Sequence, residues 1–214
     1  MRSTFFLLFF LPLFTFAQTR NGPRAGLSMA TISGGQFLNW SGLPKFGPIG
    51  GWAWEVKWTN QASFLFEPMY MSKGSLTQDP MLNSWTRVRL GYLELPIMVK
   101  LSLDKEPEGI FLTGGLIGGY WINGKQVVKQ DGTVLLEQQY ALTGAKNREQ
   151  ASVAAGLGWD RKNTAFEVRI QTSVTPFSPV VRGQNLVVGL HFTYYIPKKG
   201  SASKKKDKDL APDQ

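Results

Sequence analysis

The sequence predicts an all-β protein: a closed antiparallel transmembrane β-barrel of about eight strands, set in an outer membrane. Three observations carry the prediction. An apolar leader opens the chain, period-two alternation recurs through its middle, and the connections between alternating stretches are by turns short and long.

The leader places the chain in the envelope. Arg2 precedes an almost unbroken apolar run from Phe5 to Phe16, and Thr15-Phe16-Ala17 puts small residues where a signal peptidase reads them. Pro12 interrupts the run, which falls short of the roughly 20 residues a helical span needs. We therefore read residues 1–17 as a cleaved secretory signal peptide. A Gram-negative outer membrane is the destination, and Gln18 begins the mature chain. The absence of Cys excludes a lipoprotein anchor, disulfides and thiolate metal sites. With His191 the sole histidine, no zinc site and no cofactor are expected.

Charge sets the other limits. The chain is 13% aromatic, rich in Gly and only 18% charged, with a net charge of +9. Six Lys against three Asp in residues 197–214 supply a third of that excess. The remainder is too diffuse for a nucleic-acid footprint, so nucleic acid is not an expected partner. The tail is too polar to pack and is read as a disordered, Lys-rich periplasmic extension.

Between these ends, residues 18–196 form the barrel domain. Strands are predicted at 23–32, 46–58, 61–73, 85–101, 109–121, 151–160, 163–175 and 183–196. The alternation is plainest from Phe166 to Thr175. There Phe166, Val168, Ile170 and Val174 oppose Glu167, Arg169, Gln171, Ser173 and Thr175. In the last strand Leu190, Phe192 and Tyr194 oppose Gly189, His191 and Thr193. The connections at 59–60, 102–108 and 161–162 are short, and those at 33–45, 74–84, 122–150 and 176–182 are long. With the N-terminus in the periplasm every short connection falls on that side, the asymmetry of bacterial outer-membrane barrels.

The composition of the two faces says which one meets lipid. One carries Trp52, Trp54, Trp58, Phe64, Phe66, Tyr70, Trp159, Phe192 and Tyr194. The other is rich in small residues, among them Gly26, Ser28, Ala30, Gly50, Gly115, Gly119, Ala154, Gly156, Gly158 and Gly189. A narrow barrel interior is crowded and favours small side chains, whereas a solvated surface gains nothing from Gly in strands. The bulky face is therefore assigned to lipid, against the alternative of a soluble, ligand-holding barrel. Pro68 and Pro96 cannot complete ladders on both sides, which predicts a bulge at each.

A stretch in the fourth strand, Tyr92-Leu93-Glu94-Leu95-Pro96-Ile97-Met98-Val99-Lys100, resembles the Y-L-E-[IL]-P-[LI]-L-x-K segment of the PorT-like outer-membrane β-barrel family. Glu67-Pro68-Met69-Tyr70-Met71-Ser72-Lys73-Gly74 is similar to the preceding strand end of that family, with Pro68 in place of its usual Leu. The Gly-rich strand from Thr113 to Tyr120 and the closing aromatic strand also fit. The resemblance implies a small barrel of the OmpA/OmpX type without catalytic residues. It further implies an accessory role in a secretion or gliding apparatus.

The charges on the small-residue face form the best chemical constellation. Glu55, Glu67, Glu94 and Glu167 stand against Lys57, Lys100 and Arg169, with His191 on the same face. Charges inside a narrow barrel are costly unless paired, so their near balance predicts a salt-bridged structural network. Lys100 and Arg169 are the candidate partners of Glu94. Arg87 and Arg89 fall on the lipid phase of their strand, which predicts that residues 85–90 rise above the hydrocarbon. There the two guanidiniums are candidate lipopolysaccharide contacts. In the long segment 122–150, Gln130-Asp131-Gly132-Thr133 is a turn signal between two apolar triplets, predicting a hairpin above the membrane.

These readings point to a non-enzymatic integral outer-membrane protein with a structural or interaction role. Its partners would be outer-membrane lipid, the barrel assembly machinery, and an envelope protein engaged through 122–150 or the 197–214 tail. A lipid-modifying enzyme and a narrow channel or ligand-binding barrel are the alternatives. No G-x-S-x-G elbow is present, and the outer loops contain no His to act as a base.

Overall fold

The computed structural model describes residues 19–33, 43–79, 83–104, 108–139, 148–175 and 184–197. Residues 1–18, where a signal peptide is expected, residues 198–214 of the tail and parts of the long connections lie outside the described residues.

Ten strands are described: β1 (Thr19–Ser33), β2 (Lys45–Lys57), β3 (Ala62–Phe66), β4 (Met69–Asp79), β5 (Ser84–Ser102), β6 (Gly109–Gln130), β7 (Thr133–Gln139), β8 (Glu149–Arg161), β9 (Thr164–Ser173) and β10 (Gln184–Tyr194). All pairings are antiparallel. β1 pairs with β2, β2 with β3 and β4, both of these with β5, β5 with β6, β6 with β8, β8 with β9, β9 with β10, and β10 again with β1. The ladders thus return to their start. Because β3 and β4 are two halves of one rung of the ring, the barrel has eight walls, and β7 lies outside it.

The break between β3 and β4 replaces the predicted bulge at Pro68. Register is the same on both sides of it: Phe66 faces Ile97 and Met69 faces Glu94. Pro68 accepts from the Trp52 amide at 3.0 Å, and Pro96 accepts from the Glu67 amide at 3.2 Å. Neither proline can donate in return, so the ladder opens there without an extra residue. Pro96 itself sits inside a continuous β5. The register shifts that do occur lie in β6 at Ile122 and in β7 at Leu135.

The faces divide as the alternation predicts, with one exception. Leu27, Leu95, Leu157, Ile170, Leu190 and Phe192 are exposed, while Ser28, Glu94, Glu167, Arg169, Gln171 and His191 are buried. Gly50 is the exception: β2 buries its odd-numbered residues, so Gly50 faces outward and Gly47 and Ile49 face the lumen. Near the short-turn end the outward aromatics group together. Trp58 stacks on Phe64 at 5.8 Å and Phe166 meets Phe192 at 4.9 Å, the arrangement of an interfacial girdle.

The core lies in the lumen. Ala30, Ile49, Met69, Met71 and Val187 cluster toward the long-loop end, Leu65, Met98, Ile117 and Ala154 midway, and Phe111, Ala165 and Tyr195 by the short turns. Ile170, outward at the level of the middle cluster, tests the assignment of faces. Ile170→Arg should destabilise the barrel by about 2–4 kcal/mol in denaturant unfolding from bilayers, and Val174→Arg, nearer the rim, by distinctly less. Equal tolerance of Arg at both sites would contradict a lipid-facing surface.

Two hairpins continue past the barrel rim. The stretch 74–84, expected as a loop, is mostly strand: β4 runs to Asp79 and β5 resumes at Ser84. β6 runs on to Gln130 and turns back as β7 through Asp131 and Gly132, whose φ values of 48° and 81° define a hairpin turn of the I′ kind. Asn83 Nδ2 donates to Asp131 Oδ1 at 2.7 Å, tying the tips of the two hairpins together. The ends of β4, β5 and β6 with β7 make a four-stranded blade above the barrel.

Candidate functional site

Inward-facing charges from six strands, with Glu67 between β3 and β4, assemble into three stacked layers. The layer nearest the short turns holds Arg20, Glu55, Lys100 and Asp160. Arg20 donates to Glu55 from Nε at 3.0 Å and from Nη2 at 2.8 Å. Ser63 donates to Glu55 at 3.0 Å, and Lys100 lies 3.3 Å from the same carboxylate. Asp160 is ion-paired with both Arg20 and Lys100. The rings of Tyr195 and Phe111 cover the two cations, 4.1 Å from the Arg20 guanidinium and 4.4 Å from the Lys100 ammonium.

The middle layer is built on two arginines. Arg169 forks onto Glu167, two residues before it on β9, at 2.9 Å and 2.8 Å. Its third nitrogen reaches Glu67 at 2.7 Å. Glu67 lies between β3 and β4, four walls round the ring from β9, so this ion pair spans the full diameter. Arg24 pairs with Glu67 at 3.0 Å and with Glu167, and donates to His191 Nδ1 at 3.2 Å and Thr193 Oγ1 at 3.0 Å. Thr113 donates to Glu167 at 2.6 Å.

The layer toward the long loops is smaller. Lys73 Nζ lies 2.5 Å from Glu94 and donates to Gln150 at 3.0 Å, with its ammonium 4.8 Å from the ring centre of Tyr92. Gln171 donates to Glu94 at 3.0 Å and Asn185 to Gln150 at 3.4 Å. Each layer matches its cations with as many carboxylates, taking His191 as neutral; Lys45, buried beside the third layer on Ser72 and the Lys73 carbonyl, stands outside this balance. Net neutrality within a layer matters because a buried charge left over costs several kcal/mol.

Of the residues singled out from sequence, Glu55, Glu67, Glu94, Lys100, Glu167, Arg169 and His191 are all buried within this network. Lys57 is not part of it. It lies half-exposed at the end of β2 and joins none of the ion pairs among the described residues. Glu94 meets Lys73, not Lys100 or Arg169, which lie in the two lower layers. Arg20, Arg24, Lys73 and Asp160 were missed. Arg24 shares the parity of Gly26 and Ser28, Lys73 that of Glu67, and Asp160 that of Gly158, so the alternation held the signal. Arg20 was passed over because β1 begins at Thr19, ahead of the predicted start at 23.

The network has the chemistry of a filled plug. His191 Nδ1 accepts from Arg24, and Nε2 has no partner among the described residues. Among the described residues no hydroxyl is hydrogen-bonded to that ring, and the nearby Thr193 hydroxyl accepts from Arg24 instead. Among the described residues no three His, Asp or Glu side chains group as metal ligands. The effect of one missing partner is open to measurement. Glu94→Ala should lower stability by about 2–3 kcal/mol, the lower edge for stranding a buried charge, because Gln150 and Tyr92 still hold Lys73. Glu94→Gln should recover about half of that by keeping shape and hydrogen bonds. Loss of heat-modifiable gel migration at a lower temperature reports both. A Glu94→Ala barrel that melts with the parent would remove Glu94 from the network.

A closed ring of antiparallel strands with a lipid-compatible outer face and an ion-paired interior defines an integral outer-membrane β-barrel. A family model described as outer membrane protein beta-barrel domain matches residues 16–178, and the chain belongs to that family. Its place is accordingly the outer membrane. No curated protein matches the sequence. Among solved structures it is similar to Ail, the attachment invasion locus protein of Yersinia pestis, solved in complex with the heparin analogue sucrose octasulfate. The TM-score is 0.48 at 10% identity over 84% of this chain and 99% of that one. Neisserial surface protein A gives 0.46 at 10% identity over 81% and 96%. The N-terminal barrel of Pseudomonas aeruginosa OprF gives 0.37 at 11% identity over 84% and 100%.

Proposed function

We propose that this protein is a non-enzymatic interaction barrel whose interior holds shape and whose outer blade does the work. The observation that carries the reading is the Glu67–Arg169 pair, which joins opposite walls of the lumen at 2.7 Å. An interior crossed by side chains at its middle offers neither a path nor a pocket. The ring of ladders closes without the blade, so the strand extensions past the rim call for another purpose. Their outermost strand, β7, is fully exposed along its length and carries Val134, Leu135 and Leu136 on an edge that is unpaired among the described residues. A free edge can pair with a strand from a partner.

Short turns on the periplasmic side put the blade outside the cell. Export by the 1–17 signal and a periplasmic 197–214 tail complete the organisation we propose. The narrower reading places the chain among PorT-like barrels, as an accessory of a secretion or gliding apparatus. Tyr92, Glu94, Pro96, Met98 and Lys100 of the resembling segment all face the lumen, so that segment supports the kind of plug more directly than it supports a partner. A lipid-modifying enzyme gains nothing from His191, held mid-lumen by Arg24.

The test is a photo-crosslinking residue at Leu135 in living cells, with a second at lipid-facing Leu157 as control. A discrete adduct with one envelope protein, from Leu135 alone, is the expected result. Identical, diffuse labelling from both positions would overturn the reading.

A further inference from the structure

We propose that the outward face of the blade is a binding site for a phosphorylated glycolipid of the outer leaflet, with its phosphates on Arg87, Arg89, Lys125 and Lys129. The inference rests on placing the blade at the outer surface. It begins with the bulge in β6. Below Ile122 the even-numbered residues of β6 face lipid, as Leu112, Leu116 and Tyr120 do. Tyr92 pairs with Trp121, but Gly91 pairs with Asn123, so Ile122 is the extra residue. Trp121 Nε1 donates to the Asn123 carbonyl at 2.6 Å and pins the bulge.

Above that point the parity of β6 is reversed, and Lys125 and Lys129 stand directly opposite Arg89 and Trp85 on the outward face. Without the extra residue both lysines would turn to the other side of the blade. One inserted residue therefore gathers four cations on one face, around a tryptophan. Arg87 lies 5.1 Å and Lys129 5.2 Å from the Trp85 ring centre. Among the described residues one carboxylate joins them: Glu137 pairs with Lys125 at 2.5 Å, an exposed pair that holds little energy. Arg87 and Arg89 remain exposed and offer planar donors that suit phosphate oxygens.

Two further features choose a lipid over a free anion. Arg89 precedes Leu93 by four residues on β5, about 13 Å of strand above the apolar surface, the level of headgroups. Directly below lies an open, mostly apolar hollow of about 950 Å³, bordered by Leu93, Leu95, Gly118, Tyr120 and Ala151, with the exposed Glu149 at its rim. A Cβ at Gly118 would meet nothing within 4 Å, so the hollow exists because that outward position has no side chain. Cations at headgroup level over an acyl-sized hollow fit one amphiphile. The tryptophan supplies a ring face for its sugar, beside a crevice of about 240 Å³ lined by Leu76, Gln78, Trp85 and Arg87.

The full chain is reconstituted in phosphatidylcholine nanodiscs doped with lipopolysaccharide or with enzymatically dephosphorylated lipopolysaccharide, and glycolipid retained per barrel is counted by native mass spectrometry. The parent should retain the phosphorylated form and lose the other. R87A/R89A should weaken retention on the order of tenfold. G118L, which fills the hollow without touching a charge, should weaken it on the order of fivefold. Heat-modifiable migration checks that each variant is folded. Equal retention of the dephosphorylated form, or parental retention by both variants, would overturn the proposal. Inorganic phosphate binding as tightly as the glycolipid would overturn its lipid assignment. The Leu135 crosslink is scored separately: if R87A/R89A keeps it and keeps its glycolipid, this site fails and the interaction barrel stands.

Discussion

Arg169→Ala is expected to lower the unfolding free energy of the barrel by about 4–5 kcal/mol, the upper range for breaking a buried ion pair. The size follows from what is left behind. Arg169 supplies three of the contacts that hold Glu67 and Glu167, and Arg24 alone cannot neutralise both carboxylates. The middle layer would then carry a buried surplus of one negative charge. A double variant, Arg169→Met with Glu67→Met, returns the layer to balance, with Arg24 facing Glu167. It should therefore be more stable than Arg169→Met alone, a sign that additive contributions cannot produce. Denaturant unfolding in lipid vesicles measures these and the Glu67→Met single that completes the cycle. A double variant as damaged as the sum of its singles would contradict a coupled layer.

Gly156→Val should cost about 3 kcal/mol or more, by a different route. Gly156 pairs with Arg169 across the β8–β9 ladder, and a Cβ there would strike Glu167 Oε1 and lie 2.6 Å from Thr113 Oγ1. The carboxylate would be pushed from both arginines, so overpacking and loss of ion pairing act together. Gly114→Ala makes the contrast. Gly114 faces lipid on β6 and a Cβ there meets nothing within 4 Å, so the substitution should be neutral within about 0.5 kcal/mol. Similar losses at both glycines would mean that the lumen is not close-packed beside Glu167.

The fold was legible because alternation in a barrel is a direct geometric record: each strand must show one face to lipid and the other to the lumen. That is why Phe166 to Ser173 was placed residue for residue. Errors arose where the backbone departs from strict period two, or where a strand edge is decided by partners. Gly50 was put on the wrong face because small size was weighed above the parity of Ala53 and Glu55. Pro68 and Pro96 were expected to shift register, yet two prolines at one gap remove donors without adding a residue. The extra residue at Ile122 has no such marker, since Trp121-Ile122-Asn123 reads as ordinary strand. Its effect on Lys125 and Lys129 became visible only in the ladder. Pairing within the lumen was illegible for a related reason. Glu94 meets Lys73 rather than Lys100 because strand stagger sets the height of each side chain, and stagger is not written in any one strand.

The central claim is that side chains from opposite walls close the lumen, so that the protein acts from its surface. Single-channel recording of the purified, refolded barrel in planar bilayers tests it most directly. The account predicts current indistinguishable from the bare bilayer. Steady ohmic steps from the heat-modifiable, folded protein would show an open path through the three layers and contradict it.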